Sequence, residues 1–409
     1  IPERHRSIRA SFDHSWKLLS PEEQHILSRL SVFQGGFERC AAEQVAGASL
    51  PVLASLASKS LVRRMENGRF DLHEVIRQYA ASPLGDERQS RPARDRHCDY
   101  YLNFAADREK ALKNGSQQEA VRELTDEMDN VRAAWKHAIR HERYTLMERA
   151  IQSLGWFFEA TGLLQEGIDQ FEPLVQALRA GPPEVSRLRV LGLALTQQGL
   201  MYFRKGRFDE ARSHYEEGIA VLRQSGSRPL LAAALVFRGI ILHLDGEYER
   251  SCALLREALD CALAGGDEWF AAYALYNLGY VDSLAGHYAE GYERMIAGLQ
   301  VWRRLGDPHS IALGLNYLAP TLIRLGRHEE AEADMQESIR ICAQTKNRWG
   351  MGTAYRHLGL AHLAQGNFAQ AQANLHKSLE VFQDFVVGWD IARTLSYLGD
   401  AARMAGDLG

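Results

Sequence analysis

The sequence contains little proline and little cysteine for its length: 11 prolines and 5 cysteines among 409 residues. No two cysteines form a Cys-x-x-Cys pair, which excludes the commonest zinc and redox motifs. Few, scattered thiols are typical of a reducing compartment, so we expect a cytoplasmic protein. The scarcity of proline, together with 46% apolar and 24% charged residues, excludes a collagenous or disordered chain.

A large excess of one charge and long apolar runs are also missing. Lys and Arg total 48 against 52 Asp and Glu, so the formal net charge is -4. Nucleic acids and anionic membranes attract proteins through excess positive charge, so bulk charge supports neither partner. No run of about 18 uncharged apolar residues occurs, and we expect no membrane span. The sequence begins Ile-Pro-Glu and has no signal-peptide pattern, which we interpret as a fragment of a longer polypeptide.

An internal repeat organises the second part of the sequence. A glycine recurs every 40 residues, and an aromatic residue or histidine follows two positions later in most units. A small residue lies seven positions before each glycine, and another lies twelve positions after most of them. Such a pattern predicts an array of one supersecondary unit. The recurring glycines are Gly206, Gly246, Gly286, Gly326, Gly366 and Gly406.

Each unit is expected to contain two helices, the first of which ends at the recurring glycine. The pattern resembles the tetratricopeptide repeat, because Leu278 precedes a glycine and Gly206, Phe208 and Ala211 match that family's second block. The period of 40 residues is longer than that family's period of about 34. We predict an all-α fold with an α-α superhelix over residues 144–409, comprising about six to seven repeats, the last one truncated.

The first 82 residues have a different pattern. Ser20 followed by proline and two glutamates predicts the start of a helix. Further on, Asn67-Gly68 between two short β-prone runs predicts a hairpin with a type I′ turn. Helices followed by a hairpin predict a small winged-helix domain over residues 1–82, with a helical connector over 83–143.

A winged helix can bind DNA, but its candidate recognition helix, Leu50–Ser58, contains no Arg, Lys, Asn or Gln. Direct readout of bases depends on such side chains. We therefore do not expect nucleic acid as a partner, and a DNA-binding transcription regulator is the less favoured alternative.

Several blocks of the first part resemble bacterial STAND-class signalling ATPases of the NB-ARC or AP-ATPase type. They are SWKLLSPEE at 15–23, LSVFQGGF at 30–37, KSLV at 59–62, LHEVIRQYA at 72–80 and the segment 124–135. The resemblance implies that an NB-ARC module, which binds ADP or ATP with Mg²⁺, precedes the winged helix in the longer polypeptide. The present chain has no Gly-Lys dipeptide and hence no phosphate-binding Walker loop. We expect no enzyme activity and no cofactor in this chain alone.

The resemblance also implies one nucleotide contact, His73. Leu72-His73-Glu74 occupies the place of the family's Met-His-Asp motif, whose histidine contacts the ADP phosphate in the resting state. One such hydrogen bond contributes roughly 1–3 kcal/mol, enough to bias a two-state switch about tenfold or more. The change from Asp to Glu leaves the role of Glu74 open, and a histidine that merely caps a strand end is the alternative.

The first helices of the array carry a candidate ligand groove. Tyrosine, asparagine and arginine, which are frequent in recognition surfaces, cluster on these helices. We predict that this groove binds an inducer, either a peptide, a protein or a small molecule. The alternative is an unused groove whose tyrosines pack within the superhelix. The candidate residues are Tyr273, Tyr276, Asn277, Tyr280, Asn316, Tyr317, Arg324, Arg356, His357 and Tyr397.

These features predict the sensor and autoinhibitory arm of a signalling ATPase. Inducer binding is expected to break the His73 contact, permit exchange of ADP for ATP and lead to self-oligomerisation. A constitutive protein-binding scaffold is the main alternative. His137 and His141 have the spacing of metal ligands on a helix, but no third ligand is evident, so we predict no metal site.

Overall fold

The computed structural model describes residues 15–81, 87–383 and 388–406. Within these residues the chain forms twenty α-helices and one two-stranded sheet, so the all-α prediction is confirmed. The predicted truncation of the last repeat concerns residues 407–409, which lie outside the described residues. The described chain divides into two compact units, one extending to Gly206 and the other from Arg207, with Lys113–Gly115 belonging to the second. The domain boundaries predicted at residues 82 and 143 remain predictions.

The first unit contains ten helices among its described residues, and its core is built from their apolar faces. The helices of the first unit are α1 (Pro21–Leu30), α2 (Arg39–Ala41, continued by a π-helical turn, Ala42–Ala46), α3 (Leu50–Ser58), α4 (Glu74–Ala81), α5 (Glu87–Ala106), α6 (Glu109–Leu112), α7 (Gln117–Arg140), α8 (Tyr144–Thr161), α9 (Leu164–Arg179) and α10 (Val185–Arg204).

Among the described residues of the whole chain, no single helix is long and apolar enough to cross a membrane. One bent pair of short helices, Arg39–Ala46 with Leu50–Ser58, has the length and composition of a broken span, by those two criteria only.

The predicted hairpin is present, but its turn differs from the prediction. Strands β1 (Arg63–Arg64) and β2 (Phe70–Asp71) pair antiparallel. A type I′ turn needs a positive φ at both central residues, whereas only Gly68 of this turn has one, at 81°. Met65 and Arg69 close a three-residue loop through a 2.8 Å backbone hydrogen bond. Such a loop, with glycine in the left-handed position, is the next commonest hairpin connection.

A buried polar cluster holds the hairpin against α7. Arg69 donates to the Glu127 carboxylate at 2.6 Å and to the carbonyl oxygen of Gly36 at 2.8 Å. Asn130 donates to the same carbonyl at 2.9 Å and accepts from the backbone N–H of Gln34 at 2.8 Å. Glu127 and Asn130 are both buried. These residues of the predicted connector therefore fix both the hairpin and the loop before α2.

The start of α1 is joined to α3 through one carboxylate. Ser20 and Glu23 form a reciprocal capping box at the first turn of α1. The Glu23 carboxylate also accepts hydrogen bonds at 2.6 Å from the Ser55 hydroxyl and from the Lys59 ammonium group. The hydrogen bond from Lys59, followed by those from Ser55 and the Ser20 backbone, lowers the pKa of Glu23 to about 2.

Glu23→Gln is expected to weaken folding in a pH-dependent way. The pKa of Glu23 in the folded state lies below the usual value of 4.5, so the ionised carboxylate stabilises the fold fully above pH 4.5. This stabilisation is lost as the pH falls toward about 2. The variant should lose about 1 kcal/mol at pH 7, the range of a partly exposed ion pair. Its unfolding free energy should also fall less steeply below pH 4.5. Urea unfolding at several pH values measures both effects, and the exposed Glu22→Gln is the matched control; equal curves for the two variants would contradict the assignment.

The part of the second unit that the structure describes contains ten helices, each packed against the next along the chain. The recurring glycines from 206 to 406 all have φ between 72° and 93°, so the predicted left-handed helix ends are confirmed. Each repeat contains a first helix, which ends at the recurring glycine, and a second helix, which follows that glycine. The first helices are α10, α12, α14, α16, α18 and α20, and the second helices are α11, α13, α15, α17 and α19. The helices are α11 (Phe208–Gln224), α12 (Leu231–Leu244, after a 3-10 turn at Arg228–Leu230), α13 (Tyr248–Gly265), α14 (Glu268–Leu284), α15 (Tyr288–Leu305), α16 (Pro308–Arg324), α17 (His328–Thr345), α18 (Arg348–Ala364), α19 (Phe368–Gln383) and α20 (Gly388–Ala405).

Polar caps also recur with the repeat period. Asp267, Asp307 and Asn347 each accept a backbone hydrogen bond, at 2.9 to 3.1 Å, in the first turn of α14, α16 and α18. Asp307 additionally accepts the indole N–H of Trp269 at 2.8 Å. The Asp307 side chain therefore caps the start of α16 and joins it to α14.

Candidate functional site

Five of the ten predicted groove residues are buried in the second unit. Tyr276, Asn277, Asn316, Arg356 and His357 each expose 7% or less of their surface. Neighbouring helices enclose these five side chains, and their predicted contact with a ligand in the concave groove stays a prediction.

Three of the buried residues occupy one repeat position and bond to the next first helix. Tyr276 of α14 donates its hydroxyl to a backbone carbonyl of α16. Asn316 of α16 donates to a backbone carbonyl of α18 at 3.0 Å. Arg356 of α18 forms a 2.6 Å ion pair with Asp390 of α20. Tyr, Asn and Arg thus share a position because each side chain links successive repeats.

The other five predicted residues stay accessible to different degrees. Tyr273, Tyr280, Tyr317 and Tyr397 are half-buried, and Arg324 is exposed. Tyr273 packs on two tryptophans, with ring centroids 5.1 and 5.8 Å away. Burial raises the pKa of the Tyr276 phenol, and Tyr280 and Tyr317, which are brought together, lie close enough to raise it further.

Tyr280 and Tyr317 form a contact between α14 and α16. Their rings meet edge to face, with centroids 5.3 Å apart. Burial, with the neighbouring phenol of Tyr317, raises the pKa of Tyr280 to about 12, although the charge of Arg393 acts in the opposite sense. The Tyr280 hydroxyl is therefore neutral at pH 7 and lies within electrostatic range of a guanidinium group.

Sequence reasoning missed a third member of this group, His243 of α12. Its ring lies 5.4 Å from that of Tyr280, and burial lowers its pKa to about 4. Its Nδ1 is buried without a hydrogen bond to any described residue. The sequence signal that identifies His243 is its departure from the repeat, since the equivalent residues of later repeats are Ser283, Ile323 and Leu363.

We call His243, Tyr280 and Tyr317 the tyrosine cluster. It presents aromatic edges and neutral hydrogen-bonding groups on three successive first helices, α12, α14 and α16, and the charge of Arg393 on α20 acts on Tyr280. His357 on α18 is a buried neutral imidazole, because burial and the adjacent Arg356 lower its pKa to about 3. This chemistry suits a ligand with polar and aromatic groups, such as a peptide segment.

The predicted nucleotide contact lies in the first unit. His73 is exposed, follows β2 and precedes α4. Its Nδ1 accepts a hydrogen bond from the backbone N–H of Val75 at 3.3 Å. This favours the tautomer with the proton on Nε2, which fits donation to a phosphate oxygen. Among the described residues, no group of three or more His, Cys, Asp or Glu side chains has the geometry to hold a metal ion.

Comparison with protein families identifies the repeats. Family models of the tetratricopeptide repeat match residues 190–264, 312–345 and 352–376. A model of anaphase-promoting complex subunit 5 matches residues 237–320. The matched segments of the array are therefore tetratricopeptide repeats, as predicted.

A solved structure extends the similarity to the whole fold. The STAND protein with a tetratricopeptide repeat sensor from Pyrococcus horikoshii resembles this chain with a TM-score of 0.66 and 14% identity. The match covers 98% of this chain and 58% of that chain. At this identity the likeness shows the fold alone, and at that level the predicted resemblance to STAND proteins is confirmed.

Curated relatives with closer sequence similarity cover less of the chain. Proteins of Mycobacterium tuberculosis (strain ATCC 25618 / H37Rv) and Mycobacterium bovis (strain ATCC BAA-935 / AF2122/97) are 34% identical over 189 residues. Their names describe them as HTH-type transcriptional regulators. The match covers 43% of this chain, but it spans only 21% of the length of those relatives.

Proposed function

We propose that this chain is the sensor arm of a STAND-class signalling ATPase. The observation that carries the proposal is that the fold likeness to a STAND protein covers 98% of the chain, and therefore extends beyond the repeats. The sequence blocks between residues 15 and 80 that resemble this class support it, as does the exposed His73. The chain alone is proposed not to be an enzyme, because it contains no Gly-Lys dipeptide.

In the proposed resting state, His73 donates its Nε2 proton to a phosphate oxygen. The phosphate belongs to ADP in an NB-ARC module of the longer protein, and that module supplies the Mg²⁺-dependent ATP chemistry. The predicted winged-helix domain then acts as a gate: breaking the His73 contact permits exchange of ADP for ATP and self-oligomerisation. An inducer drives this change only to the extent that it binds the open state more tightly than the closed one.

We propose that the inducer contacts the tyrosine cluster. Tetratricopeptide arrays commonly bind protein or peptide segments, and the cluster supplies aromatic edges and neutral donors on adjacent first helices. The buried Nδ1 of His243, which has no hydrogen-bond partner among the described residues, is one group that a ligand would satisfy. A peptide or protein segment fits this chemistry better than a small apolar molecule.

His73→Ala in the natural, longer protein is expected to release ADP and favour the active state. Loss of one phosphate hydrogen bond should shift the resting equilibrium about tenfold or more. The purified variant should retain less ADP, measured by chromatography of the released nucleotide, and should oligomerise with ATP in the absence of inducer, measured by light scattering. His25→Ala, an exposed histidine of α1, is the matched control. Equal ADP retention in both variants, or a longer protein without a nucleotide-binding module, would refute the proposal.

Tyr317→Ala is expected to weaken inducer binding at least tenfold while leaving the fold intact. Tyr317 is half-buried, whereas Tyr276 and Arg356 link successive repeats and are unsuitable for this test. The immobilised chain is incubated with extract of the source cells, and retained species are identified by mass spectrometry. Tyr288→Ala, a half-buried tyrosine on the second helix α15, is the control. A species retained by the native chain and by both variants alike would favour a scaffold that uses another surface.

The curated relatives favour a second candidate, a longer protein that regulates transcription. In that case we propose that DNA is bound outside this chain, because α3 lacks the side chains that read bases and the net charge is -4. Titration of this chain with duplex DNA at low salt should then show no salt-dependent binding.

A further inference from the structure

A cavity of about 380 Å³ lies in the second unit, between α11, α12 and α13. Its wall is mainly apolar. Ile219 and Ala220 contribute from α11, Leu242 from α12, and Ala253 and Leu254 from α13. Cavities of this size and composition, with a few polar groups, are typical of small-ligand sites.

One buried cation lies in the wall of this cavity. Arg238 of α12 exposes only 6% of its surface. Its Nε and Nη2 donate to one oxygen of Glu216, at 3.2 and 2.8 Å. Its Nη1 is buried and makes no hydrogen bond to any described residue. The Glu216 side chain is 56% exposed, and its bonds to Nε and Nη2 leave Nη1 without an acceptor among the described residues.

Arg238 departs from the repeat at a core position. The equivalent residues of the later repeats are Leu278, Leu318, Leu358 and Leu398. A buried guanidinium with an unsatisfied donor is less favourable than leucine in the same place. The preceding repeat carries Gln198 at this position, also buried but uncharged. Among these repeats Arg238 is the charged residue, and a departure of this kind is expected at functional sites.

A second departure places another cation at the edge of the same cavity. Arg250 of α13 lines it, as does Arg223 of α11. Both form ion pairs with glutamates, but these pairs are largely exposed and contribute little to holding the side chains in place. At the position of Arg250, other repeats carry Glu210, Glu290, Glu330 and Gln370.

We propose that this cavity binds a small amphiphilic carboxylate. The carboxylate pairs with the guanidinium group of Arg238, which lines the cavity and has one N–H donor without a partner among the described residues, through a charge-assisted hydrogen bond. The apolar part of the ligand lies among Ile219, Leu242 and Leu254, where it is removed from water. The volume suits an acid of about six to ten carbon atoms. The site is separate from the tyrosine cluster and does not depend on the proposed sensor function.

The test uses the full chain with octanoate as the probe and 1-octanol as its neutral counterpart, both followed by isothermal titration. The native chain should bind one octanoate at least tenfold more tightly than octanol. Arg238→Leu restores the residue of the later repeats, so it should fold as stably as the native chain, checked by thermal unfolding. This variant should lose at least tenfold in octanoate affinity and keep its affinity for octanol.

Two further variants make the result specific. Arg256→Leu removes an exposed arginine of α13 that does not line the cavity, and it should leave octanoate binding unchanged. Ala253→Phe fills the cavity edge and should abolish binding of both probes. The proposal is overturned by undetectable octanoate binding at millimolar concentration, by equal binding to the native chain and Arg238→Leu, or by octanol binding as tightly as octanoate. Tyr317→Ala should bind octanoate like the native chain, which separates this site from the tyrosine cluster.

Discussion

Replacing Gly279 by alanine is expected to lower the free energy of unfolding by about 3 kcal/mol. A Cβ atom at Gly279 in α14 would lie 2.5 Å from the carbonyl oxygen of Gly291 and 2.8 Å from the amide nitrogen of Met295, both in α15. These are backbone atoms, so no side-chain rotation relieves the clash and the two helices must separate. Overpacking of this kind costs about 1–3 kcal/mol, and a backbone contact belongs at the upper end of that range.

The same substitution at Gly399 should have the opposite sign. Gly399 occupies the equivalent position of α20, but a Cβ atom there would meet no described atom within 4 Å. Only helix propensity then acts, which favours alanine over glycine by about 1 kcal/mol. Urea unfolding followed by circular dichroism, with hydrogen exchange to locate the affected helices, compares the two variants. Equal effects at both positions would contradict the close approach of α14 and α15.

Much of the repeat geometry could be predicted from the sequence, because the constraints at its turns and close contacts act locally. Only glycine readily takes the left-handed conformation at helix ends, and only a small residue lets two helix backbones approach. The recurring glycines and the small residues at positions such as Gly279 and Gly359 therefore record the fold directly.

The candidate site could be predicted only in part. The sequence indicates which helix carries Tyr276, Asn316 or Arg356, but their burial depends on the backbone of the following repeat. A polar side chain at that position looks the same in sequence whether it meets a ligand or a neighbouring helix. His243 and Arg238 were detectable only as departures from the repeat pattern.

The hairpin illustrates the same limit at shorter range. Asn67-Gly68 correctly predicts a tight connection, yet the loop contains three residues and only Gly68 takes the left-handed conformation. Loop length depends on which residues of the two strands pair, and Arg64 pairs with Phe70. This register is fixed by tertiary contacts, including a backbone bridge from Phe70 to Phe37.

Asp390→Ala is expected to have the largest effect in the array, a loss of about 3–5 kcal/mol. Asp390 forms the 2.6 Å ion pair with Arg356, and both side chains are more than nine-tenths buried. It also accepts the indole N–H of Trp349 at 3.1 Å. Removing the carboxylate leaves a buried guanidinium and an indole donor without this partner, and an uncompensated buried charge is more costly than the absence of the whole pair.

A double variant that removes both charges separates the interaction from the cost of leaving one charge buried. Arg356→Met with Asp390→Leu should recover most of the stability lost in Asp390→Ala, because an apolar pair often replaces a buried ion pair at little cost. Asp400→Ala removes an exposed partner of Arg403 on the same helix and should change stability by less than about 1 kcal/mol. Denaturant unfolding gives these values, and hydrogen exchange should show the loss concentrated in α18 and α20, because repeats exchange stability mainly with their neighbours. If Asp390→Ala and Asp400→Ala unfold alike, Arg356 is not held by Asp390, and its guanidinium returns to consideration as a ligand contact.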